Sequence, residues 1–126
     1  MIKETYVSYE TAKLLKEKGF KIITHMVYDN QGNLDYQYCV CCNIDRMPCL
    51  YAPTHQMTMA WLREVHKILI VIDAYHADHW DGYIDSFKIS IYWHASTIIV
   101  PNEIAHHTDY TEAVEAAIKY SLEKLI

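Results

Sequence analysis

The chain has 126 residues, of which 52% are hydrophobic and 21% charged, and its formal net charge at pH 7 is −5. This length and composition predict one soluble globular domain spanning residues 1–126 and exclude an intrinsically disordered chain. The acidic balance argues against a general nucleic-acid binder, because phosphate binding usually requires a basic surface.

Targeting signals and cysteine usage both indicate the cytoplasm. Residues 1–8 are charged and polar, without the apolar segment of a signal peptide. The longest apolar run, Ile68 to Ile72, is too short to span a bilayer, so no membrane partner is expected. In the cytoplasm the four cysteines are expected to be reduced thiols rather than disulfides.

The first predicted helix covers Tyr9 to Lys18. Ser8 suits the N-cap, because its hydroxyl can accept a hydrogen bond from an otherwise unpaired backbone N–H. Val7 precedes the cap as a hydrophobic staple. Gly19 is expected to end the helix in the left-handed conformation.

A hairpin is predicted next, from alternation of apolar and polar residues. The alternation predicts one strand over Phe20 to Tyr28 and another over Leu34 to Cys42. Residues 29–33 between them are rich in turn-forming types, and Gly32 can take a positive φ. Two strands joined by such a loop are typical of an antiparallel hairpin.

A central helix is predicted within Ala52 to Lys67, after a loop marked by Pro48 and Pro53. Thr54 is the expected N-cap. A stripe of apolar residues with helical period is predicted to be buried, formed by Met57, Ala60, Trp61, Val65 and Ile68. The more polar faces are assigned to Thr58, Arg63, Glu64 and Lys67.

The second half begins with a nearly continuous apolar run, Ile68 to Tyr75, which predicts a strand buried on both faces. After a turn at residues 76–82, alternation resumes and predicts an antiparallel partner beginning near Ser86. Thr97 to Val100 adds a short edge strand, which Pro101 ends.

Residues 102–108 show no readable pattern. Asp109 and Glu112 then match a capping box at the start of a final helix, with Thr111 as an alternative cap. One face of this helix is predicted to be buried, formed by Val114, Ala117, Ile118, Ser121, Leu122 and Leu125.

The order of elements is α-ββ-α-ββ-α, which predicts the α+β class. We expect a sheet of four or five mainly antiparallel strands with three helices packed on it.

The first candidate for chemistry is a group of cysteines on the predicted second strand. Cys39 and Cys41 share a strand face, and Cys49 or His55 could approach from the following loop. Thiolates and imidazoles bind zinc, but the Cys-x-x-Cys knuckle of most zinc sites is missing. The alternative is that these cysteines are small buried hydrophobic residues.

The second candidate is the turn that contains His76, Asp78, His79 and Asp81. Two imidazoles and two carboxylates so close together can bind a divalent ion or supply a general base. A solvated hairpin turn, with Trp80 folded over the core, explains the same residues. His94 and the pair His106–His107 complete the notable histidines and match no ligand pattern.

Signatures of common enzymes are missing from the sequence. It has no glycine-rich phosphate loop, no Gly-x-Ser-x-Gly elbow and no His-Glu-x-x-His. With three glycines in the whole chain, a backbone cradle for phosphates is not expected. These observations weigh against an enzyme.

Three segments carry a family resemblance: Thr5 to Phe20, Ala52 to Glu64 and Tyr110 to Ile126. Together they resemble small uncharacterised proteins encoded by phages, prophages and mobile elements of gut anaerobic bacteria. The segments cover the three predicted helices, a little over a third of the chain. The resemblance implies an accessory protein with a non-enzymatic role, and it brings no activity, cofactor or catalytic residue.

The preferred interpretation is a protein-binding module without a cofactor. The chain has 11 tyrosines against 2 phenylalanines, and tyrosine is common at interfaces, although it also favours strands. The expected partner is a host or element-encoded protein, and a homodimer is also expected. The predicted contact residues are Tyr6, Tyr9, Tyr36, Tyr38, Trp80 and Tyr92.

Two alternatives remain open. One is a metal-binding protein or metal-dependent enzyme that uses the residues of the His-Asp turn or of the cysteine group. The other is a small-ligand pocket between sheet and helices, which would leave no trace in the sequence.

Overall fold

The computed structural model describes residues 3–36, 50–75 and 86–126. The described helices are α1 (Tyr9–Glu17), α2 (His55–His66), α3 (Asn102–Ala105) and α4 (Tyr110–Lys124). The described strands are β1 (Met26–Tyr28), β2 (Leu34–Tyr36), β3 (Leu50–Tyr51), β4 (Ile68–Tyr75), β5 (Ser86–Trp93), β6 (Ser96–Ile98) and β7 (His106–His107). The chain divides into two units, Met1–His55 and Gln56–Ile126.

In the first unit, α1 forms as its sequence predicts. The Ser8 hydroxyl accepts a hydrogen bond from the Thr11 backbone N–H at 3.2 Å, and Val7 is fully buried. Gly19 has a φ of 95°, which a residue with a Cβ rarely adopts, so it ends the helix. The predicted cap and stop are confirmed, and Val7 is buried next to the cap.

The first sheet is antiparallel, with strand order β2-β1-β3. Its turn is held by the Asp29 carboxylate, which accepts hydrogen bonds from the backbone N–H groups of Gln31 and Asn33, each at 2.9 Å. The bond from the Asn33 N–H has the largest effect on the pKa of Asp29, and together the two bonds lower that pKa below its ordinary value. Gly32 has the expected positive φ, 84°.

The strand predicted over Phe20 to Tyr28 is much shorter, because only Met26–Tyr28 pairs. Ile22 and Ile23 are exposed, at 43% and 73%. The Thr24 hydroxyl donates to the Met26 carbonyl at 2.6 Å and accepts from the Ala52 N–H at 3.2 Å. The side-chain bonds of Thr24 lie beside the ladder that begins at Met26, where the Ala52 N–H also donates to the Met26 carbonyl at 3.0 Å, and residues 20–25 before it form no strand. The rest of the predicted second strand, residues 37–42, lies outside the described residues.

The central helix is confirmed, and its predicted buried stripe is right at Trp61 and Ile68 but wrong at Met57 and Val65. Met57 and Val65 are exposed, at 37% and 58%, whereas Thr58 is completely buried. The helix ends at His66, and Lys67 follows with a φ of 60°, so Ile68 belongs to β4. Of the four residues assigned to the more polar faces, Thr58 is buried, and Arg63, Glu64 and Lys67 are exposed as predicted. The buried side chains of α2 are His55, Thr58, Trp61 and Leu62.

The second sheet is antiparallel, with strand order β4-β5-β6, and β7 also pairs with β5. β4 and β5 pair along their whole lengths, from Ile68 opposite Trp93 to Tyr75 opposite Ser86. Their bounds agree with the sequence prediction, including the start at Ser86. The edge strand predicted over Thr97 to Val100 is present as β6, which begins one residue earlier and ends two residues earlier than predicted.

The prediction that β4 is buried on both faces is wrong. Ile68 and Ile70 are buried, but Leu69 between them is 44% exposed. On β5, Ile91 and Ile89 are buried; Ile91 lies opposite the buried Ile70, and Ile89 lies opposite the half-buried Ile72. Because α4 contacts both strands, it covers this face, and the opposite face holds the exposed residues.

The final helix begins at its predicted cap, since Asp109 Oδ1 accepts the Glu112 N–H at 3.1 Å. Its buried face agrees with the prediction at Val114, Ala117, Ile118, Ser121 and Leu122. The unreadable segment before it contains the short α3 and β7. The α+β class is confirmed, although the described strands form two sheets and the helices include one more than expected.

Candidate functional site

The first unit holds three predicted contact residues, and each has a different environment. Tyr36 is the most accessible, at 61% exposure, and lies on β2 two residues after Leu34, which is 40% exposed. Residues two apart in a strand share a face, so this leucine and tyrosine lie side by side. Tyr6 is half-buried and forms an isolated antiparallel bridge with Thr54.

The third residue, Tyr9, is packed within its own unit. Its ring meets that of Tyr28 edge-on at 5.6 Å, and Lys13 Nζ lies 4.4 Å from its centroid. A Cβ placed on Gly32 would lie 3.4 Å from Tyr9 Cδ1, so the glycine turn approaches the ring closely. Tyr28 in turn donates its hydroxyl hydrogen to the Val7 carbonyl at 2.5 Å. The half-buried Tyr9 ring therefore supports the fold.

His55, named above as a candidate zinc ligand, is 5% exposed and tied to Thr5 by two contacts. Its backbone N–H donates to the Thr5 carbonyl at 2.9 Å, and its Nδ1 lies 2.7 Å from the Thr5 hydroxyl. The pairing holds the first residue of α2 against the N-terminal segment. The hydrogen bond at Nδ1 offsets the cost of burying this polar side chain.

In the second unit, the sheet face opposite α4 is here called the outer face. Across it runs a row of directly opposed residues, in which Leu69 faces Tyr92 and Tyr92 faces Thr97. Leu69 and Thr97 are exposed, and Tyr92 is half-buried. The outer face consists of Leu69, Val71, Asp73, Lys88, Ser90, Tyr92 and Thr97. The predicted contact residue Tyr92 thus lies at the centre of a row whose two ends, Leu69 and Thr97, are exposed.

His66, which the sequence did not indicate as a notable residue, lies at the end of α2, just before β4. The ring of His66 meets that of Trp61 at 4.6 Å and an angle of 70°. Its Nε2 atom is buried and has no hydrogen-bond partner among the described residues. Burial lowers the pKa of His66 from its ordinary 6.5, because the charged imidazolium loses its hydration.

The β5–β6 hairpin, whose Trp93 contacts His66, has an unusual turn. Its two central residues, His94 and Ala95, have φ values of 50° and 65°. Two-residue hairpins of type I′ require positive φ at both positions, which Asn and Gly normally occupy. The His94 N–H also donates to the Lys67 carbonyl at 3.1 Å, and the ring of Trp93 lies 5.6 Å from that of His94. No glycine or asparagine marked this turn in the sequence.

The remaining predicted site residues lie outside the described part of the chain. They are the contact residues Tyr38 and Trp80 and the metal candidates Cys39, Cys41, Cys49, His76, Asp78, His79 and Asp81. Within residues 3–36, 50–75 and 86–126, no three His, Cys, Asp or Glu side chains converge to hold a metal ion. None of the described helices is long and apolar enough to cross a lipid bilayer.

Comparisons with protein-family models, curated proteins and solved structures gave no match to this chain.

Proposed function

We propose that this chain is a non-catalytic protein-binding module that acts in the cytoplasm as an accessory protein of a phage or mobile element. Its partner is a host or element-encoded protein. One observation carries the proposal: both sheets present an accessible leucine beside a tyrosine. Leu34 and Tyr36 do so on β2, and Leu69 and Tyr92 do so on the outer face.

The chemistry of these pairs suits protein recognition. A leucine gains about 25 cal/mol for each Å² of apolar surface removed from water. A tyrosine adds a large, stiff ring and a hydroxyl that can hydrogen-bond at the rim of a contact. The exposed Ile99, at 89%, follows directly after β6 and extends the apolar surface at that edge.

A capture experiment with sheet variants tests the proposal. Tagged full-length chain is used to capture protein from host lysate, and captured proteins are identified by mass spectrometry. We expect Leu69→Asp or Tyr36→Asp to abolish capture, because each places a charge in an apolar contact.

Val65→Asp is the matched control, since Val65 on α2 is more exposed than Leu69, at 58% against 44%, and belongs to neither sheet. It is expected to capture as the wild type does. Capture of no host or element-encoded protein, or equal capture by all three variants, would contradict the proposal.

A further inference from the structure

The outer face carries two opposite charges, Asp73 on β4 and Lys88 on β5, here called the charged pair. The two residues are exposed and directly opposed, so their Cβ atoms lie about 5 Å apart on one face of the sheet. On its other side, Lys88 lies opposite the exposed His106 of β7. The acid therefore lies at the β4 end of this row and the basic residues lie toward β7.

The charged pair is not used within the chain. Neither side chain forms an ion pair or a hydrogen bond with another residue that the structure describes. Opposite charges on an exposed surface add little to stability, because water screens them. Both charges therefore remain available to a ligand.

The other end of the outer face is apolar. Leu69 and Tyr92 are directly opposed there, four residues along each strand from the charged pair, which is about 14 Å. Between the two ends, the half-buried Val71 lies opposite the half-buried Ser90. The outer face thus offers an apolar contact, a small polar residue at its centre and two opposite charges in one line.

The dimensions of this face suit an α-helix. Three neighbouring strands measure about 10 Å across, close to the diameter of a helix with its side chains. The same two strands, β4 and β5, already contact a helix of 15 residues, α4, on their opposite face. A sheet with helices on both faces is a common layered arrangement.

We propose that the outer face binds an amphipathic helix of the partner protein, with apolar side chains over Leu69 and Tyr92 and an acid and a base over the charged pair. The inference rests on the proposed function and names the segment of the partner that this face binds.

Helical geometry provides the spacings that this contact requires. Residues three or four apart on a helix have Cβ atoms about 5–6 Å apart, which matches the separation within the charged pair. The distance of about 14 Å between the two ends of the face corresponds to two to three helical turns. The acid of the partner is expected over Lys88 and the base over Asp73.

Selection from a peptide library tests the inference. Peptides of about 18 residues, which as helices would follow β4 from end to end, are displayed on yeast and selected against the immobilised full-length chain. Peptides that also bind the Leu69→Asp variant are discarded. We expect the enriched peptides to be helical when bound, with apolar residues three and four apart and an acid and a base two to three turns away.

A charge exchange provides the second test. Asp73→Lys and Lys88→Asp should each weaken binding of an enriched peptide about tenfold or more, because each brings like charges together. The double variant reverses the order of the charges. A peptide with its acid and base exchanged should therefore bind the double variant more tightly than it binds the wild type. Fluorescence anisotropy of labelled peptides measures the affinities, and circular dichroism monitors folding.

Two charge reversals away from the outer face are the matched controls. Glu123→Lys on α4 and Lys21→Asp before β1 change exposed residues and should leave peptide affinity unchanged. The inference is overturned if no peptide distinguishes the wild type from Leu69→Asp, or if the enriched peptides bind as extended strands. Reversals in the charged pair that act no more strongly than the controls would overturn it as well.

The two proposals fail separately. Capture of a natural partner that Leu69→Asp abolishes, together with selected peptides that ignore the charged pair, overturns the helix inference alone. Helical peptides that obey the charge exchange, without capture of any host or element-encoded protein, overturn the proposed function alone.

Discussion

Trp93 donates its indole N–H to the main-chain carbonyl of His66 across 3.2 Å. The last carbonyls of a helix have no partner within the helix. The last residue of β5 therefore supplies a hydrogen-bond donor to the last carbonyl of α2. This bond holds the end of the helix against the second sheet.

Replacing Trp93 with phenylalanine tests the value of that bond. Trp93→Phe keeps an aromatic ring but leaves the His66 carbonyl without its donor, so we expect the free energy of unfolding to fall by about 1–3 kcal/mol. Chemical denaturation measures the change. Tyr110→Phe removes a polar group from an aromatic that is 51% exposed and should change stability little.

The half-buried ring of His66, whose Nε2 atom is buried, predicts a dependence of stability on pH. Burial lowers its pKa in the folded chain, so the unfolded chain, with a pKa near 6.5, binds the proton more readily. Its contribution to stability is complete above pH 6.5 and is lost as the pH falls toward the lowered folded pKa.

His66→Phe removes this effect. We expect denaturation of the wild type and variant between pH 8 and pH 5 to show a smaller loss of stability on acidification for the variant. His25→Gln is the matched control, since that histidine is exposed, and it should keep the wild-type slope. Parallel pH profiles for wild type and His66→Phe would show that His66 does not carry the dependence.

The strained hairpin turn predicts a stabilising substitution. Ala95 has a φ of 65°, which costs a residue with a Cβ about 1–2 kcal/mol. Ala95→Gly removes that cost, although glycine loses more conformational entropy on folding than alanine does. Because the relief of strain is the larger effect, we expect the midpoint temperature of thermal unfolding to rise by a few degrees. Ala116→Gly, within α4, carries the entropy loss without the relief and should lower stability by about 1 kcal/mol. If Ala95→Gly were less stable than the wild type, the conclusion that the backbone is strained at Ala95 would be wrong.

At Gly19 the opposite substitution, from glycine to alanine, is expected to destabilise the chain. Its φ is 95°, and a Cβ added there would meet no atom within 4 Å. Gly19→Ala therefore tests backbone conformation without a steric clash, and we expect a loss of about 1 kcal/mol or more by chemical denaturation. An unchanged midpoint would mean that the helix ends without needing this conformation.

The cap of α4 predicts a graded pair of variants. Asp109→Ala removes the acceptor of the Glu112 N–H and should cost about 1 kcal/mol, whereas Asp109→Asn retains an acceptor oxygen and should cost less. Helical content and denaturation midpoints measure both. Equal losses for the two variants would show that charge at the helix N-terminus, rather than the hydrogen bond, supplies the stabilisation.

Elements with strong local signals were predictable from sequence. Ser8, Gly19 and Asp109 act through bonds and backbone angles within a few residues of themselves, so the ends they mark agree with the structure. The apolar run of β4 and the alternation of β5 likewise gave their bounds.

The features that sequence reasoning missed depend on distant partners. The buried His55 bonds to Thr5, 50 positions earlier, and the Thr24 hydroxyl bonds to Ala52, 28 positions later. The turn at His94 forms without a turn-forming residue because pairing on both sides imposes it. The accessibility of Tyr36 and the residues opposite Tyr92 could not be predicted, because both depend on which strands lie beside them in the sheet.

Amide hydrogen exchange of the full chain, alone and with a captured partner protein, tests protein binding through the sheets most directly. Mass spectrometry would follow peptides covering β2, β4, β5 and β6. We expect the partner to slow exchange in at least one of these sheet surfaces while α1 and α4 remain unchanged. Slower exchange confined to the helices, or exchange unaltered everywhere, would contradict a binding surface built on the exposed leucine–tyrosine pairs.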